Sequence, residues 1–264
     1  MGILNATPDS FSDGGQFTQP ETISRQASAM IAAGVDIIDI GGESTRPFAV
    51  DIDPDEELRR VLPAITVVRA LAPEILISID TTKAEVARQA LAVGADIIND
   101  ISALSADPKM PELAASGNWP VVIMHMQGTP RDMQLAPCYN DVVAEIINFL
   151  GQRIEQLATR GIAPHRLIID PGIGFGKTLA HNLKILRNLS AFSELGRPLL
   201  IGHSRKSFLN KLLGELPTHE RDLPSAIVSA FAVWGGVDII RTHNVGATRQ
   251  AVRLATAWRD GVST

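Results

Sequence analysis

The sequence predicts an α/β protein, a single (β/α)8 TIM barrel, from three observations. Eight short apolar runs rich in Ile, Val and Leu recur from end to end of the 264 residues. Longer stretches with helical periodicity separate them. One phrase is written three times, as GVDIID (34–39), GADIIND (94–100) and GVDIIRT (236–242), with only its last letters changed. Short runs that are apolar on both faces read as parallel strands buried under helices. Eight of them alternating with about as many helices is the barrel pattern.

The elements follow in order. GILN (2–5) is the first strand, and ETISRQASAMIAAG (21–34) the helix after it. DIIDI (36–40), ILISID (75–80) and ADIIN (95–99) are strands, separated by the helical stretches DEELRRVLPAITVVRAL (55–71) and KAEVARQALAVG (83–94). VVIMHM (121–126) precedes the long helix NDVVAEIINFLGQRIEQLATRG (140–161), and RLIID (166–170) precedes a leucine-rich helical stretch at 179–192. PLLIG (198–202), PSAIVSAFAVWGG (224–236), DIIRT (238–242) and GATRQAVRLATAW (246–258) complete the alternation. An open doubly wound sheet would carry a Gly-rich turn after its first strand, and NATPDSF is not one. Nothing in composition divides residues 1–264, so one domain is expected. Gly34, Gly94 and Gly236 each follow a helix, where a left-handed residue ends it. Asp36, Asp96 and Asp238 then open strands at the barrel floor, where solubility and turn geometry are their expected tasks.

Composition narrows the function. A hydrophobic content of 45% with a net charge of −5 describes a globular chain with a large core. Interspersed charges argue against general nucleic-acid or anionic-membrane binding. Cys138 is the one cysteine, so no internal disulfide forms and a reducing cytoplasm is expected. No run reaches the length of a membrane span, and MGILNATPDS lacks the basic segment and apolar run of a secretory signal.

Barrel chemistry sits where strands finish. Read in order, those ends offer Asn5, Asp39, Asp80, Asn99, His125 and Asp170, then Lys206 in HSRKS, then Arg241 and His243. Arg46, Lys206, Arg241 and His243 suit phosphate or carboxylate oxygens. Asp80, Asn99 and Asp170 suit a flat heterocycle with amino and ring N–H groups. Asn5 and Asp39 are oxygen donors of the kind Mg²⁺ accepts alongside substrate phosphates. The expected ligand is a heterocycle carrying a phosphorylated leaving group. Two look-alikes fail. DPGIGFGKT (170–178) has Pro171 where a phosphate-binding P-loop needs glycine, and IGHSRKS has Lys206 where a nucleophile elbow needs glycine. The histidines form no HExxH zinc motif.

MGILNATPDSFSDGG, DIGGESTRP, SIDTT, NDIS, MHMQG, DPGIGFGK, SRKSF and RTHNV closely resemble, in order, the signature blocks of the dihydropteroate synthase family, from residue 1 to about 250. The resemblance implies a pterin-binding barrel that joins 6-hydroxymethyl-7,8-dihydropterin pyrophosphate to 4-aminobenzoate with Mg²⁺. It implies pterin contacts from Asp80, Asn99, Asp170 and Lys206, and pyrophosphate contacts from Asn5, Arg241 and His243, with Asn5 as the Mg²⁺ ligand. Thr45, Arg46, Pro47, Phe175 and Ser207 resemble the aminobenzoate walls. The catalytic set the resemblance implies is Asp39, Arg46, Lys206 and Arg241, with Asp39 near the metal. A homodimer is also implied. Departure of pyrophosphate ahead of amine attack is the expected order of bond changes. The loops 5–17 and 41–51 read as lids.

Two features depart from the family. Members usually carry a dozen or more residues before the MGILN block, often closing the barrel floor, whereas this sequence opens inside the first strand. Phe48 stands in STRPFA where the block usually reads STRPGA; a tolerated loop substitution is expected, with altered sulfonamide response as the alternative. The competing functions are a pterin-binding methyltransferase domain using methyltetrahydrofolate and a non-catalytic folate-binding barrel. The first lacks the combined STRP, SRKS and RTHN blocks, and the second would have lost a key strand-end residue.

Overall fold

The computed structural model describes residues 1–7, 19–44 and 51–261. Strands β1 (Gly2–Asn5), β2 (Ile37–Gly41), β3 (Leu76–Asp80), β4 (Ile97–Asp100), β5 (Val121–Met124) and β6 (Leu167–Asp170) pair side by side in sequence order, all parallel. β7 (Leu200–Ile201) pairs with β8 (Ile239–Ile240). Bridges join the two sets at both edges. Ile169 N–H donates to Pro198 O at 2.9 Å beside β7, and Ile3 N–H donates to Thr242 O at 2.9 Å beside β8. The ring therefore closes, which leaves no edge exposed among the described strands.

Around it lie α1 (Gln19–Ala32), α2 (Pro54–Leu71), α3 (Ala84–Ala92), α4 (Met110–Ala115), α5 (Val142–Thr159), α6 (Leu179–Arg187), α7 (Phe208–Leu213), α8 (Asp222–Trp234) and α9 (Val245–Asp260). α4 and α7 are six residues each, too short to show helical periodicity, and the sequence reading omits them. The leucine-rich stretch divides: α6 stops at Asn188, and a 3-10 turn follows over Leu189–Leu195. Asn188 assists the stop, since its Nδ2 donates to Lys184 O at 2.7 Å. The expected PLLIG and DIIRT strands are regular for only two residues each. The ladder still extends past them, because Ile239 N–H reaches Leu199 O (3.1 Å) and Arg241 N–H reaches Ile201 O (2.9 Å).

The thrice-written phrase is one junction used three times. Gly34, Gly94 and Gly236 have φ of +79°, +111° and +90°. Each closes its helix with the same two bonds, for example Gly34 N–H to Ile31 O (2.9 Å) and Val35 N–H to Met30 O (3.1 Å). This is the Schellman arrangement. Gly161 (φ +88°) repeats it through Ile162 N–H to Leu157 O, although no Asp-Ile-Ile follows.

The two isoleucines of the phrase then part company, because successive strand side chains face opposite ways. Ile37, Ile97 and Ile239 join Met1, Val122, Ile168 and Leu200 in a plug inside the ring. Ile38, Ile98 and Ile240 face the helices. The next letter faces inward again, and there stand Asp39, Asn99 and Arg241. Parity thus puts an apolar floor beneath a polar mouth.

The opening aspartates do more than turn the chain. Asp96 Oδ2 accepts Ile77 N–H (2.8 Å) and Arg69 Nη2 (2.6 Å), and Asp238 Oδ2 accepts Leu199 N–H (2.8 Å). Each satisfies a backbone donor at the start of a neighbouring strand, Ile77 in β3 or Leu199 just ahead of β7. Asp36 meets Arg249 only across 3.9 Å, with its side chain 85% exposed. Asp96→Ala and Asp238→Ala are expected to lower unfolding free energy by about 1–3 kcal/mol, the cost of a desolvated donor left unpaired. Asp36→Ala is expected to cost about 0.5 kcal/mol or less, as for exposed ion pairs. Urea unfolding of the three variants checks the ranking.

Candidate active site

The inward positions at the strand ends converge on Arg241. Its Nε donates to Asp39 Oδ2 at 2.6 Å and its Nη2 to Asp80 Oδ2 at 2.5 Å. Asn99 Nδ2 meets both oxygens of Asp39 at 3.3 Å. One arginine on the closing strand is thereby tied to β2 and β3, with β4 joined through Asn99. Asp39 is fully buried, and both its oxygens are engaged. In this arrangement Asp39 anchors the arginine.

A second group stands across the mouth. Asp170 ends β6, and its Oδ1 accepts Gly172 N–H at 2.7 Å. Lys206, in the turn after β7, donates to Ile173 O and lies 4.4 Å from the centre of the Phe175 ring. Phe175 packs with Ile101, Met124 and Met133 into an apolar patch at this side. Ser207, next to Lys206, is exposed just ahead of α7. Asn5 ends β1 opposite Gly41 of β2.

The charges are mutually perturbed. Burial pushes Asp80 up to about 7, against the pull of Arg241. Burial also raises Asp170, with Lys206 the main opposing charge. Burial lowers Lys206 to about 8, while Asp170 holds it up. Burial works against the Arg241 charge too, but Asp39 and Asp80 outweigh it and raise its pKa. A ligand bringing N–H donors finds carboxylates here, and one bringing anionic oxygens finds two cations.

One strand-end candidate and the two rejected look-alike motifs take structural places. His125 faces outward, since the inward residues of β5 are Val122 and Met124. Its Nδ1 lies 3.1 Å from Lys177 Nζ, and burial pushes its pKa down to about 3. Lys177 is itself buried and donates to Phe175 O (2.8 Å) and His125 O (3.3 Å), so it pins two loops rather than waiting for an anion. Ser204 Oγ accepts from His243 N–H at 3.1 Å and lies 3.0 Å from His243 Nδ1, which makes it the clip of that histidine. The Gly-rich DPGIGFGK turn is explained by close packing. At Gly172 (φ +71°) a Cβ would meet His125 O at 2.0 Å, and at Gly176 (φ +61°) one would meet Gln127 O at 2.4 Å.

Thr45, Arg46, Pro47 and Phe48 lie outside the described residues, as do 8–18, the greater part of the first expected lid. The ends of the second are bound by a network the sequence reading did not find. Glu43 Oε1 accepts Ile52 N–H (2.9 Å), Glu43 Oε2 accepts Lys83 Nζ (2.9 Å), and Lys83 also reaches the buried Glu57 (2.6 Å). These partners lie far apart in sequence, and no local motif announces them.

A closed parallel barrel with carboxylates, an amide and two cations at its carboxyl end defines a ligand-binding barrel enzyme site. The family profile described as pterin binding enzyme matches residues 1–243. The dihydropteroate synthase of Escherichia coli (strain K12) is 48% identical over 97% of this chain and 90% of that protein. The crystal structure of the Yersinia pestis dihydropteroate synthase with a sulfonamide drug complex superposes with a TM-score of 0.93 at 43% identity, over 98% of this chain and 94% of that one. The Xanthomonas albilineans dihydropteroate synthase in complex with 7,8-dihydropteroate superposes with a TM-score of 0.89 at 40% identity, over 98% and 92%. The chain belongs to the dihydropteroate synthase family of pterin-binding enzymes.

Proposed function

We infer that the chain is a transferase of folate biosynthesis, which condenses 6-hydroxymethyl-7,8-dihydropterin pyrophosphate with 4-aminobenzoate to 7,8-dihydropteroate and pyrophosphate. The observation that carries this reading is the pairing at one mouth of an acceptor set with two cations, in a chain matching such synthases over nearly its whole length.

Asp80, Asn99 and Asp170 face a flat heterocycle, with Asp170 taking the amino-pyrimidine edge in paired hydrogen bonds. Lys206 donates to the ring nitrogen or carbonyl side, and exchanges Ile173 O for the ligand. Arg241 and His243 take the pyrophosphate, while Asp39 holds Arg241 in orientation from beneath. Phe175 and Ser207 form the described part of the aminobenzoate wall, with Thr45, Arg46 and Pro47 completing it. Mg²⁺ fits a narrow role. Among the described residues no three His, Cys, Asp or Glu side chains form a metal cluster, and Asp39 is taken. A cation using one or two protein oxygens plus phosphate oxygens needs no such cluster, and Asn5 is the side chain that would hold it. When bound, it neutralises charge growing on the leaving oxygens.

The bond changes are simple. The methylene carbon loses its C–O bond to pyrophosphate and gains a C–N bond to the arylamine, whose proton passes to water. The amine is already nucleophilic, so the protein's share is to position it and to stabilise the leaving group. The electron-rich dihydropterin ring supports departure ahead of attack.

Two faces outside the mouth complete the reading. Leu223, Ile227, Phe231 and Trp234 form an exposed stripe on α8, continued by Leu254 and Trp258 on α9; Phe231 is 73% and Trp258 78% exposed. A patch of this kind calls for a partner, and a second copy of the chain is the proposed one. The free, exposed Cys138 fits a reducing cytoplasm, and no described helix is long and apolar enough to cross a membrane.

Incubation with dihydropterin pyrophosphate, 4-aminobenzoate and Mg²⁺ is expected to yield dihydropteroate and pyrophosphate in equal amounts. Pterin binding without turnover would instead favour a silent barrel, and methyl transfer from methyltetrahydrofolate would favour the methyltransferase reading. Lys206 donates best when charged, and its pKa is lowered to about 8, so the charge is present below that pH and lost above it. The ratio kcat/KM for the pterin substrate is therefore expected to fall as pH rises through about 8. In Lys206→Gln that limb should vanish, with activity down by about 10²-fold; a pH–rate profile in which the limb persists would reject the assignment. Sedimentation is expected to show a dimer that Phe231→Glu with Trp258→Glu converts to monomer, and a monomeric parent protein would refute that interface.

A further inference from the structure

The turn that presents Lys206 holds an unusual residue. Arg205 has φ of +58°, a left-handed conformation that a side chain larger than Gly or Asn rarely takes. Such a residue persists where its surroundings over-determine it. Here its N–H donates to Ser225 Oγ (3.0 Å), its carbonyl accepts Arg221 Nη1 (3.1 Å), and its guanidinium grips Asp222 through Nε (2.6 Å) and Nη2 (2.9 Å). The fork-to-carboxylate geometry is the strong, directional kind of ion pair. Both side chains are partly buried, which spares the pair much of the screening that weakens surface bridges.

Asp222 has a second grip. Its Oδ2 accepts Asn244 Nδ2 at 2.9 Å, and Asn244 caps α9 through Oδ1 to Ala247 N–H (3.0 Å). Asn244 follows His243, whose ring and backbone N–H both meet Ser204, the residue before Arg205. One carboxylate at the start of α8 therefore joins the turn after β7 to the turn after β8. Among the described residues its side-chain bonds reach Arg205 and Asn244, each of which is next in sequence to a residue of the mouth, Lys206 or His243.

We propose that Asp222 is a positioning residue for dihydropterin pyrophosphate: through Arg205 and Asn244 it fixes the separation of Lys206 and His243, so that one substrate meets both. The proposal rests on the functional reading above, in which Lys206 faces the pterin and His243 the pyrophosphate. Clasping the two turns matters most to the ligand that spans them. Aminobenzoate meets only the first of these turns, through Ser207, and does not span the two.

The test is steady-state kinetics of Asp222→Ala, with each substrate varied at saturation of the other. KM for dihydropterin pyrophosphate is expected to rise about fivefold or more, with kcat and the aminobenzoate KM each within about twofold, the pattern of lost binding rather than lost chemistry. Asp222→Glu, which keeps a carboxylate, should recover at least half of the loss. Arg205→Ala should add little once Asp222 is already Ala, since both remove one clasp. A lower melting temperature with both KM values unchanged would reduce Asp222 to a stabilising ion pair and overturn the proposal. Equal losses for both substrates would overturn it as well. If Asp222→Ala fails to fold, Arg205→Lys and Asn244→Ala each remove one grip, and the same split between the two KM values is expected of them. A parent protein without synthase turnover would instead refute the functional reading, whereas an active parent with an unaltered Asp222→Ala refutes the clasp alone.

Discussion

An arginine placed inside a closed barrel must be answered by carboxylates, and in this fold the answer comes from across the ring. Arg241 directly follows β8, the strand that closes the barrel against β1, yet its guanidinium bonds to Asp39 on β2 and Asp80 on β3. Removing one partner of such a buried pair typically costs about 3–5 kcal/mol, because the charge left behind is still desolvated. Replacing the whole group by packed apolar side chains would be neutral or stabilising on the same grounds. The group is therefore not explained by stability. It is explained as a poised surface: carboxylates and cations already desolvated and oriented, so that a ligand need only exchange partners with them.

That exchange depends on the layer beneath. Met1, Ile37, Ile97, Val122, Ile168, Leu200 and Ile239 fill the ring below the polar mouth. They keep water from reaching Asp39 and Arg241 from the floor side, and this burial is what moves the neighbouring pKa values. Burial raises Asp80 and lowers Lys206, so in both the charged form is held by its partners, Arg241 and Asp170, against desolvation. The apolar floor and the polar mouth arise from one strand pattern, since residues two apart on a strand share a face.

Much of this was legible in the sequence because strand parity is local. The phrase Asp-Ile-Ile-polar marks floor, outer wall and mouth within four residues, and so Asp39, Asn99 and Arg241 were found from their spacing alone. Asp80 and Asp170 followed from the same position at their strand ends. Parity also corrects the one strand end misread: His125 lies one residue past the inward Met124, and faces the helices. What was not legible is non-local. Nothing in DPGIGFGK announces the role of Lys177, whose partners include the carbonyl and imidazole of His125, 52 residues earlier. The Glu43–Lys83–Glu57 network and the Arg205–Asp222 clasp join segments that no periodicity relates. α4 and α7 escaped for a different reason, since six residues hold too few turns to display a repeat.

The same contrast separates the two kinds of residue at the mouth. Side chains on strands are placed by the ladder, whose hydrogen bonds fix Asp39, Asp80, Asn99 and Asp170 to their neighbours. Side chains in the turns have no ladder, and each has acquired a substitute. Lys206 is aimed by a left-handed Arg205, which is gripped by α8; His243 is clipped by Ser204. Phe175 rides a Gly-rich turn seated on the carbonyls of His125 and Gln127. The substitute at Lys206 draws on α8, outside the barrel wall, and that at Phe175 on the loop after β5. A substitution far from the mouth, on the inner face of α8 or in the loop after β5, therefore acts on ligand binding through the turns, while the strand-borne carboxylates stay where the ladder holds them.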